Sequence, residues 1–195
     1  LHLTKFVDAV VINAGDGTHE HPTQAILDMM SLQEQFNNLE GLKVGIIGDI
    51  SHSRVALSNI FGLTTMGADV MICGPSTLMP PHIEKLGVKV SYDMDEVVDW
   101  ADAVNILRIQ LERMGTGLYP SIREYRELFG LSVERIKRHS KDLVVMHPGP
   151  MNRGTEIDSA VADSDRAIIL DQVLNGVASR MAILYLLLGG KMEEN

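Results

Sequence analysis

At 195 residues the chain can bury a proper core, and its length suggests one domain or two at most. Apolar residues make up 45% of it and charged residues 22%, ordinary values for a soluble globular protein. The 26 acidic and 17 basic side chains give a formal net charge of −9, which repels polyanions and argues against general nucleic-acid or anionic-membrane binding, while a few local arginines can still make a pocket for a small anion.

Short apolar runs alternate with longer helix-like stretches, the pattern of βαβ units around a parallel sheet. The first run, Ala9–Asn13, reads as a strand. Thr23–Phe36 follows as a helix, with Ala25, Met29, Leu32 and Phe36 at helical spacing and expected to face the core. A strand at Lys43–Gly48, a helix at Ser53–Met66, a strand at Asp69–Cys73 and a helix at Pro81–Leu86 come next. Val88–Tyr92 reads as a strand, Asp95–Trp100 as a short helix and Ala103–Leu107 as another strand. Arg108–Pro120, with Gly115, Gly117 and Pro120, is a loop. Helices at Ser121–Phe129 and Ser132–Arg138 are separated by Gly130 as a stop signal, and Leu143–Met146 is the last strand. A final helix runs from about Asp171 to Leu188 and ends at Gly189–Gly190. Several strands are continuous apolar runs, as expected where helices cover both faces of a sheet. No linker, repeat or low-complexity tract interrupts them. The reading is a single α/β domain with a doubly wound, mainly parallel, Rossmann-like sheet, and ligands in such folds sit beyond the carboxyl ends of the strands.

The single cysteine, Cys73, forbids an internal disulfide and fits a reducing compartment. Met181–Leu188 is the longest greasy run, far short of the roughly 20 residues that span a bilayer. Leu1–Phe6 lacks the charged-then-apolar pattern of a signal peptide and no methionine begins the chain. A cytoplasmic protein, present here as a fragment or processed product, is the expectation.

Four strand ends carry the chemistry. Asn13-Ala14-Gly15-Asp16-Gly17-Thr18-His19-Glu20-His21-Pro22-Thr23-Gln24 follows the first apolar run and opens a helix, with Pro22 suited to its first turn and Thr23 or Thr18 as candidate caps. His21 and Gln24, three apart, can project from one face, and a histidine at a helix start can donate a hydrogen bond to a carbonyl oxygen. His19, Glu20 and His21 lack the spacing of a helical HExxH site and have no cysteine beside them, so no metal is expected. The second segment, Gly48-Asp49-Ile50-Ser51-His52-Ser53-Arg54-Val55, is a poor dinucleotide fingerprint, because polar residues fill the turn. It does put Arg54 at a helix start, where a guanidinium can clamp a carboxylate or pair with a nearby acid such as Asp49. In the third, Leu107-Arg108-Ile109-Gln110-Leu111-Glu112-Arg113, an extended chain would turn Arg108, Gln110 and Glu112 to one face. A solvated strand edge would show the same pattern. The fourth, His147-Pro148-Gly149-Pro150-Met151-Asn152-Arg153-Gly154-Thr155-Glu156-Ile157, is a stiff turn after a buried strand, able to present main-chain carbonyls to an NH2 group and to hold an X-Pro bond in the cis form.

Taken in order, NAGDGTHEHPTQ, GDISHSRV, LRIQLER and HPGPMNRGTEI resemble the motifs of the aspartate carbamoyltransferases, over nearly the whole chain. The resemblance is to the C-terminal, aspartate-binding half plus the loop that reaches the other half. It implies transfer of a carbamoyl group from carbamoyl phosphate to L-aspartate, the committed step of pyrimidine synthesis, with no metal, no cofactor and no covalent intermediate. By that analogy His21 would bond the carbonyl oxygen of carbamoyl phosphate and Gln24 its amide. Arg54 and Arg108 would bind the aspartate carboxylates, helped by Gln110, with Glu112 orienting Arg108. Main-chain carbonyls around Pro148, Gly149 and Pro150 would receive the carbamoyl NH2, and Arg153 would contact substrate or form a domain-closure salt bridge. The resemblance also implies an N-terminal carbamoyl-phosphate domain as partner, and a homotrimer. The Ser-x-Arg-Thr-Arg phosphate motif of that other half is absent here, so this chain alone is expected to be inactive.

Two related readings rank below. The ornithine carbamoyltransferases share the His-Pro-x-Gln element but carry His-Cys-Leu-Pro where this chain has His147-Pro148-Gly149-Pro150, and two arginines suit a dicarboxylate. A silent scaffold of the same fold has no need of the intact set His21, Gln24, Arg54, Arg108 and Gln110. A nicotinamide-dependent oxidoreductase is disfavoured by its missing glycine fingerprint.

Overall fold

The computed structural model describes residues 3–109, 121–139 and 142–189. Five parallel strands form one sheet: β1 (Lys43–Ile47), β2 (Asp69–Cys73), β3 (Lys89–Ser91), β4 (Ala103–Ile106) and β5 (Val144–Met146). Their spatial order is β3-β2-β1-β4-β5, with Val44 level with Val70 on one side and Ala103 on the other, and Ala103 in turn level with Val144. Among the described residues seven α-helices connect or flank them: α1 (Pro22–Phe36), α2 (Arg54–Thr65), α3 (Met94–Trp100), α4 (Ile122–Phe129), α5 (Val133–Arg138), α6 (Ser159–Ala162) and α7 (Ile169–Leu187).

The apolar runs form strands because both faces are covered. Along β1, Val44 and Ile46 enter one core with Leu32, Ile60 and Leu63, whereas Ile47 enters a second with Met94, Val97 and Val98. β2 splits in the same way, Val70 and Ile72 to the first core, Met71 and Cys73 to the second. The period-two side-chain alternation of a strand thus feeds two apolar layers, each fully buried Ile or Leu contributing about 1.5–3 kcal/mol. Serine and aspartate caps start four of these helices. Ser53 accepts a bond from Ala56 N, Asp93 from Asp95 N, Ser121 from Glu124 N and Ser132 from Arg135 N.

Three expectations need correction. Ala9–Asn13 is not a strand: Val10 and Val11 are exposed and no described strand runs alongside to pair with it. Pro81–Leu86 contains only a 3-10 turn, Ile83–Leu86, because left-handed backbone at His82 and Gly87 closes it at both ends. α6 is an addition too short to leave a periodic signal.

α1 and α7 pack on each other beside the sheet. Ala25 and Leu32 of α1 are core residues as expected, while Met29 and Phe36 are only half-buried. Leu27 is buried as well, and the rest of α1's buried face is polar: Thr23, Gln24, Asp28 and Ser31. α7 answers with Gln172, Asn175, Gly176 and Ser179, and leaves Leu170, Val173, Leu174, Val177 and Met181 exposed.

Candidate active site

The sheet's strand order reverses direction between β1 and β4, and an open α/β sheet leaves its ligand crevice at such a switch point, outside the carboxyl ends. The segments that leave β1, β4 and β5 start there. Gly48 turns the chain out of β1 with φ +136; a Cβ on it would stand 3.0 Å from that of Leu107, so the ends of β1 and β4 meet without a side chain between them.

The histidine-bearing segment reaches the same edge from α1. His21 N donates to Ser58 Oγ (2.9 Å), pinning the start of α1 to α2. Pro22 takes the first turn as expected, but His21 holds the cap position and neither Thr23 nor Thr18 caps the helix. Upstream, Gly15 lies directly against Arg54: with φ +122, a Cβ there would fall 2.6 Å from Nη1. His19 turns to Asp16 (3.3 Å) and Glu20 to Ser58 (3.4 Å), so the three neighbours His19, Glu20 and His21 do not converge. Among the described residues no group of three or more His, Cys, Asp or Glu side chains could hold a metal ion.

Burial, then the charges of Arg54 and Arg180, hold the His21 imidazole below the usual histidine range. It is therefore neutral at physiological pH, with one ring N–H to offer. The Thr23 hydroxyl, able to donate or accept, lies 3.5 Å from Nδ1. Arg180 was not foreseen. Its signal was a lone charge inside the apolar second half of α7, where its Nη1 donates to Gly176 O (2.9 Å).

Arg54 opens α2 just after its Ser53 cap. Asp49, suggested above as its partner, is instead taken by His52, whose Nδ1 lies 2.9 and 3.0 Å from the two carboxylate oxygens. Among the described residues no carboxylate forms an ion pair with Arg54. Arg108 lies half-buried just beyond β4, following Leu107. Gln110 and Glu112 lie outside the described residues.

After β5, His147 is buried and its Nδ1 accepts the Gly149 N–H (2.9 Å), which folds Pro148 and Gly149 into a tight turn. The Gly149–Pro150 bond is cis. Gly149 and Pro150 are exposed and Pro148 is half-buried, so this turn faces outward with its main chain accessible. Arg153 stands apart, in a bidentate pair with Asp163 (2.7 Å twice) that raises the arginine's pKa and lowers the aspartate's. Gln24 points inward: its Nε2 donates to Asp28 Oδ1 (3.0 Å). Cys73 is no nucleophile here, because burial pushes its thiol up to about 12.

The structure thus brings His21 and Arg54 together with Arg180, and puts Arg108 and the Pro148–Pro150 turn on the same sheet edge. Such an edge offers a neutral hydrogen-bond donor, cations for carboxylates and main-chain acceptors for an amide. Residues 40–187 match the family model for the aspartate/ornithine carbamoyltransferase Asp/Orn binding domain, and residues 1–34 that for its carbamoyl-P binding domain. The aspartate carbamoyltransferase catalytic subunit of Desulforamulus reducens is 57% identical over 97% of this chain and 61% of its own length. That of Heliobacterium modesticaldum is 60% identical over 96% of this chain and 60% of its own. The chain therefore spans about three fifths of these relatives, 61% and 60%. Among solved structures, ornithine carbamoyltransferase from Pyrococcus furiosus is similar with a TM-score of 0.81, at 26% identity over 97% of this chain and 63% of that one. The catalytic subunit of M. jannaschii aspartate transcarbamoylase is similar with a TM-score of 0.75, at 30% identity over 93% of this chain and 60% of that one.

Proposed function

Because the chain belongs to the aspartate/ornithine carbamoyltransferase family, we propose that it is the aspartate-binding part of an enzyme transferring the carbamoyl group of carbamoyl phosphate to the amino group of L-aspartate. The products are N-carbamoyl-L-aspartate and phosphate. The observation that carries the choice of aspartate is the 57% and 60% identity to catalytic subunits named for that substrate. The absence of a cysteine from His147-Pro148-Gly149-Pro150 agrees with it.

In this reading the amino nitrogen attacks the carbonyl carbon, a C–N bond forms, and the C–O bond to phosphorus breaks. Phosphate leaves with the electron pair and takes up the proton lost by the amine. His21, neutral, donates a ring N–H to the carbonyl oxygen as charge develops there. Arg54 and Arg108 hold the two carboxylates, Gln110 assists and Glu112 orients Arg108. With its Nε2 given to Asp28, Gln24 offers Oε1 to the carbamoyl NH2, which the carbonyls around Pro148, Gly149 and Pro150 also receive. Arg153, held by Asp163, has a supporting place outside the clamp. Most of the rate enhancement comes from positioning the reactants and from electrostatic preorganisation.

The sheet described above is assigned to the aspartate domain. The carbamoyl-phosphate domain, of which residues 1–34 are a part, completes the site with its phosphate cradle. A homotrimer and a cytoplasmic location belong to the same reading, and no described helix is long and apolar enough to cross a membrane. The test is made on the whole enzyme. Titration calorimetry with a bisubstrate analogue bearing a phosphonate and a dicarboxylate should show tight binding, and carbamoyl-aspartate should accumulate from the two substrates. Failure of both would overturn the assignment; binding without turnover would identify a silent scaffold.

A further inference from the structure

Asp28 lies in none of the four strand-end segments, yet it is the hub of a buried polar network joining two of them. Its carboxylate is fully buried, at 0% exposure, and accepts four amide N–H groups. Gln24 Nε2 (3.0 Å) and Gln172 Nε2 (2.8 Å) donate to Oδ1, while Asn59 Nδ2 (2.8 Å) and Asn105 Nδ2 (3.3 Å) donate to Oδ2. The donors come from α1, α7, α2 and β4, so one side chain ties four elements together. Among the described residues no cation is paired with it. A buried carboxylate is tolerated only when its lone pairs are met by donors, and here each oxygen has two.

The two donors on Oδ1 lead to the candidate site. Gln24, turned by this bond, leaves Oε1 as its free-standing acceptor. Gln172 Oε1 accepts the main-chain N–H of His147 (2.9 Å), and His147 Nδ1 in turn accepts the Gly149 N–H (2.9 Å). An unbroken path thus runs from the side chain of Gln24 through Asp28 and Gln172 to the Pro148–Gly149 turn. The two donors on Oδ2 behave differently. Asn59 Oδ1 and Asn105 Oδ1 are buried with no hydrogen-bond partner; Asn59 Nδ2 is held a second time by Val55 O (3.2 Å), whereas Asn105, among the described residues, has no other bond to lose if its amide rotates.

We propose that Asp28 is a positioning residue that sets the spacing between the two acceptors of the carbamoyl NH2 group, the Gln24 amide oxygen and the main-chain carbonyls at 148–149. The inference rests on the functional reading above. It accounts for why a carboxylate sits here. Two neighbouring amides, Gln24 and Gln172, must both present N–H inward so that their oxygens point outward, and one shared acceptor oxygen imposes this on both. An amide at position 28 can do the same on that side only. Its oxygen would keep Gln24 and Gln172 in place, and its NH2 would meet a rotated Asn105, whose oxygen would then gain the donor it lacks, while Asn59 stays on Val55 O.

That asymmetry supplies the test, on the whole enzyme with Asp28→Ala, Asp28→Asn and Gln172→Met. Asp28→Ala and Gln172→Met should raise the KM for carbamoyl phosphate by about tenfold, the equivalent of one misplaced hydrogen bond, and leave the KM for aspartate within about twofold. Asp28→Asn should restore most of the carbamoyl phosphate KM. An aspartate KM that rises in parallel, or a carbamoyl phosphate KM unmoved in variants of parental Tm, overturns the positioning role. So does Asp28→Asn as damaged as Asp28→Ala. If Asp28→Ala does not fold, Gln172→Met against Asp28→Asn decides in its place. A parent enzyme that makes no carbamoyl-aspartate sinks the functional reading, whereas an active parent with insensitive variants sinks only this one.

Discussion

Replacing Arg135 by methionine should be among the most damaging single changes away from the candidate site. The Arg135 guanidinium is 6% exposed and has three directions of contact. Nε donates to Asp95 Oδ1 (2.6 Å), Nη1 to Gly130 O (2.7 Å) and Nη2 to Glu127 O (3.2 Å). The last two acceptors are the carbonyls at the end of α4, so the side chain closes that helix and joins it to α5 and α3. Methionine fills the volume of the aliphatic stem, leaving the lost polar contacts as the difference. Each hydrogen bond from a charged donor contributes about 1.5–3 kcal/mol, but Asp95, 36% exposed, recovers water and keeps Arg138 nearby at 3.7 Å. A net loss of about 3–4 kcal/mol follows, a large share of the roughly 5–15 kcal/mol available to a domain. Urea denaturation of this chain reads it directly: with a slope of about 2–3 kcal/mol/M, the midpoint should fall by more than about 1 M. Arg138→Met, whose parent side chain is 61% exposed, should change stability by under about 0.5 kcal/mol. Equal effects for the two arginines, or a midpoint shift under about 0.3 M for Arg135→Met, would refute the reasoning.

Three further outcomes follow. Arg180→Met should raise the pKa of His21 by removing one of the two cations that lower it, and an NMR titration of the His21 ring that does not move would show Arg180 to have no hold on it. Gly15→Val in the whole enzyme should strain a backbone at φ +122 by about 1–3 kcal/mol and push the Arg54 guanidinium aside, weakening binding of a dicarboxylate such as succinate, whereas Gly17→Ala, with nothing within 4 Å of its Cβ, should spare it; equal binding by Gly15→Val and the parent would dissociate Gly15 from Arg54. Burial holds the Asp28 carboxyl above its unfolded value, so its contribution is complete below the unfolded pKa and is lost as pH rises through the folded one. The Tm of Asp28→Asn relative to the parent should therefore climb as pH rises above the ordinary aspartate range, and a constant difference would speak against a perturbed Asp28.

The strands of the sheet's centre were legible because strands covered on both faces are near-continuous apolar runs, as Val44–Ile47 is and as Ala103–Ile106 is but for Asn105. Ala9–Asn13 has the same local composition and is no strand, since pairing depends on a neighbour and composition does not report one. At the site, His21 and Arg54 were legible as polar residues where strands run into helices. The orientation of Gln24 was not. It depends on Asp28 four residues on, which a helix surface makes visible, and equally on Gln172, 144 residues beyond Asp28, which no local pattern reveals. Arg180 was hidden for the same reason, arriving beside His21 only through the packing of α7 on α1.

α7 shows most clearly how a local reading can be turned around. A helix on a domain's surface ordinarily buries its apolar stripe. In α7, past Ile169 at its start, the buried stripe is Gln172, Asn175, Gly176 and Ser179, and the exposed one includes Leu170, Val173, Leu174, Val177 and Met181. The inward face is held by Gln172 on Asp28 (2.8 Å) and by Asn175 on Ser31 (3.0 Å) and Glu34 (2.6 Å). Bonds of this kind contribute about 0.5–1.5 kcal/mol each, or somewhat more to a carboxylate. Turning the helix over would instead bury five large apolar side chains at about 1.5–3 kcal/mol each. The observed orientation is set by Asp28, Ser31 and Glu34 on α1, whose polar groups an apolar face would leave buried and unmatched. The polar face of α7 thereby holds Gln24 and the His147–Pro150 turn in register through Asp28 and Gln172, two ends of the candidate site tied to a single rigid element.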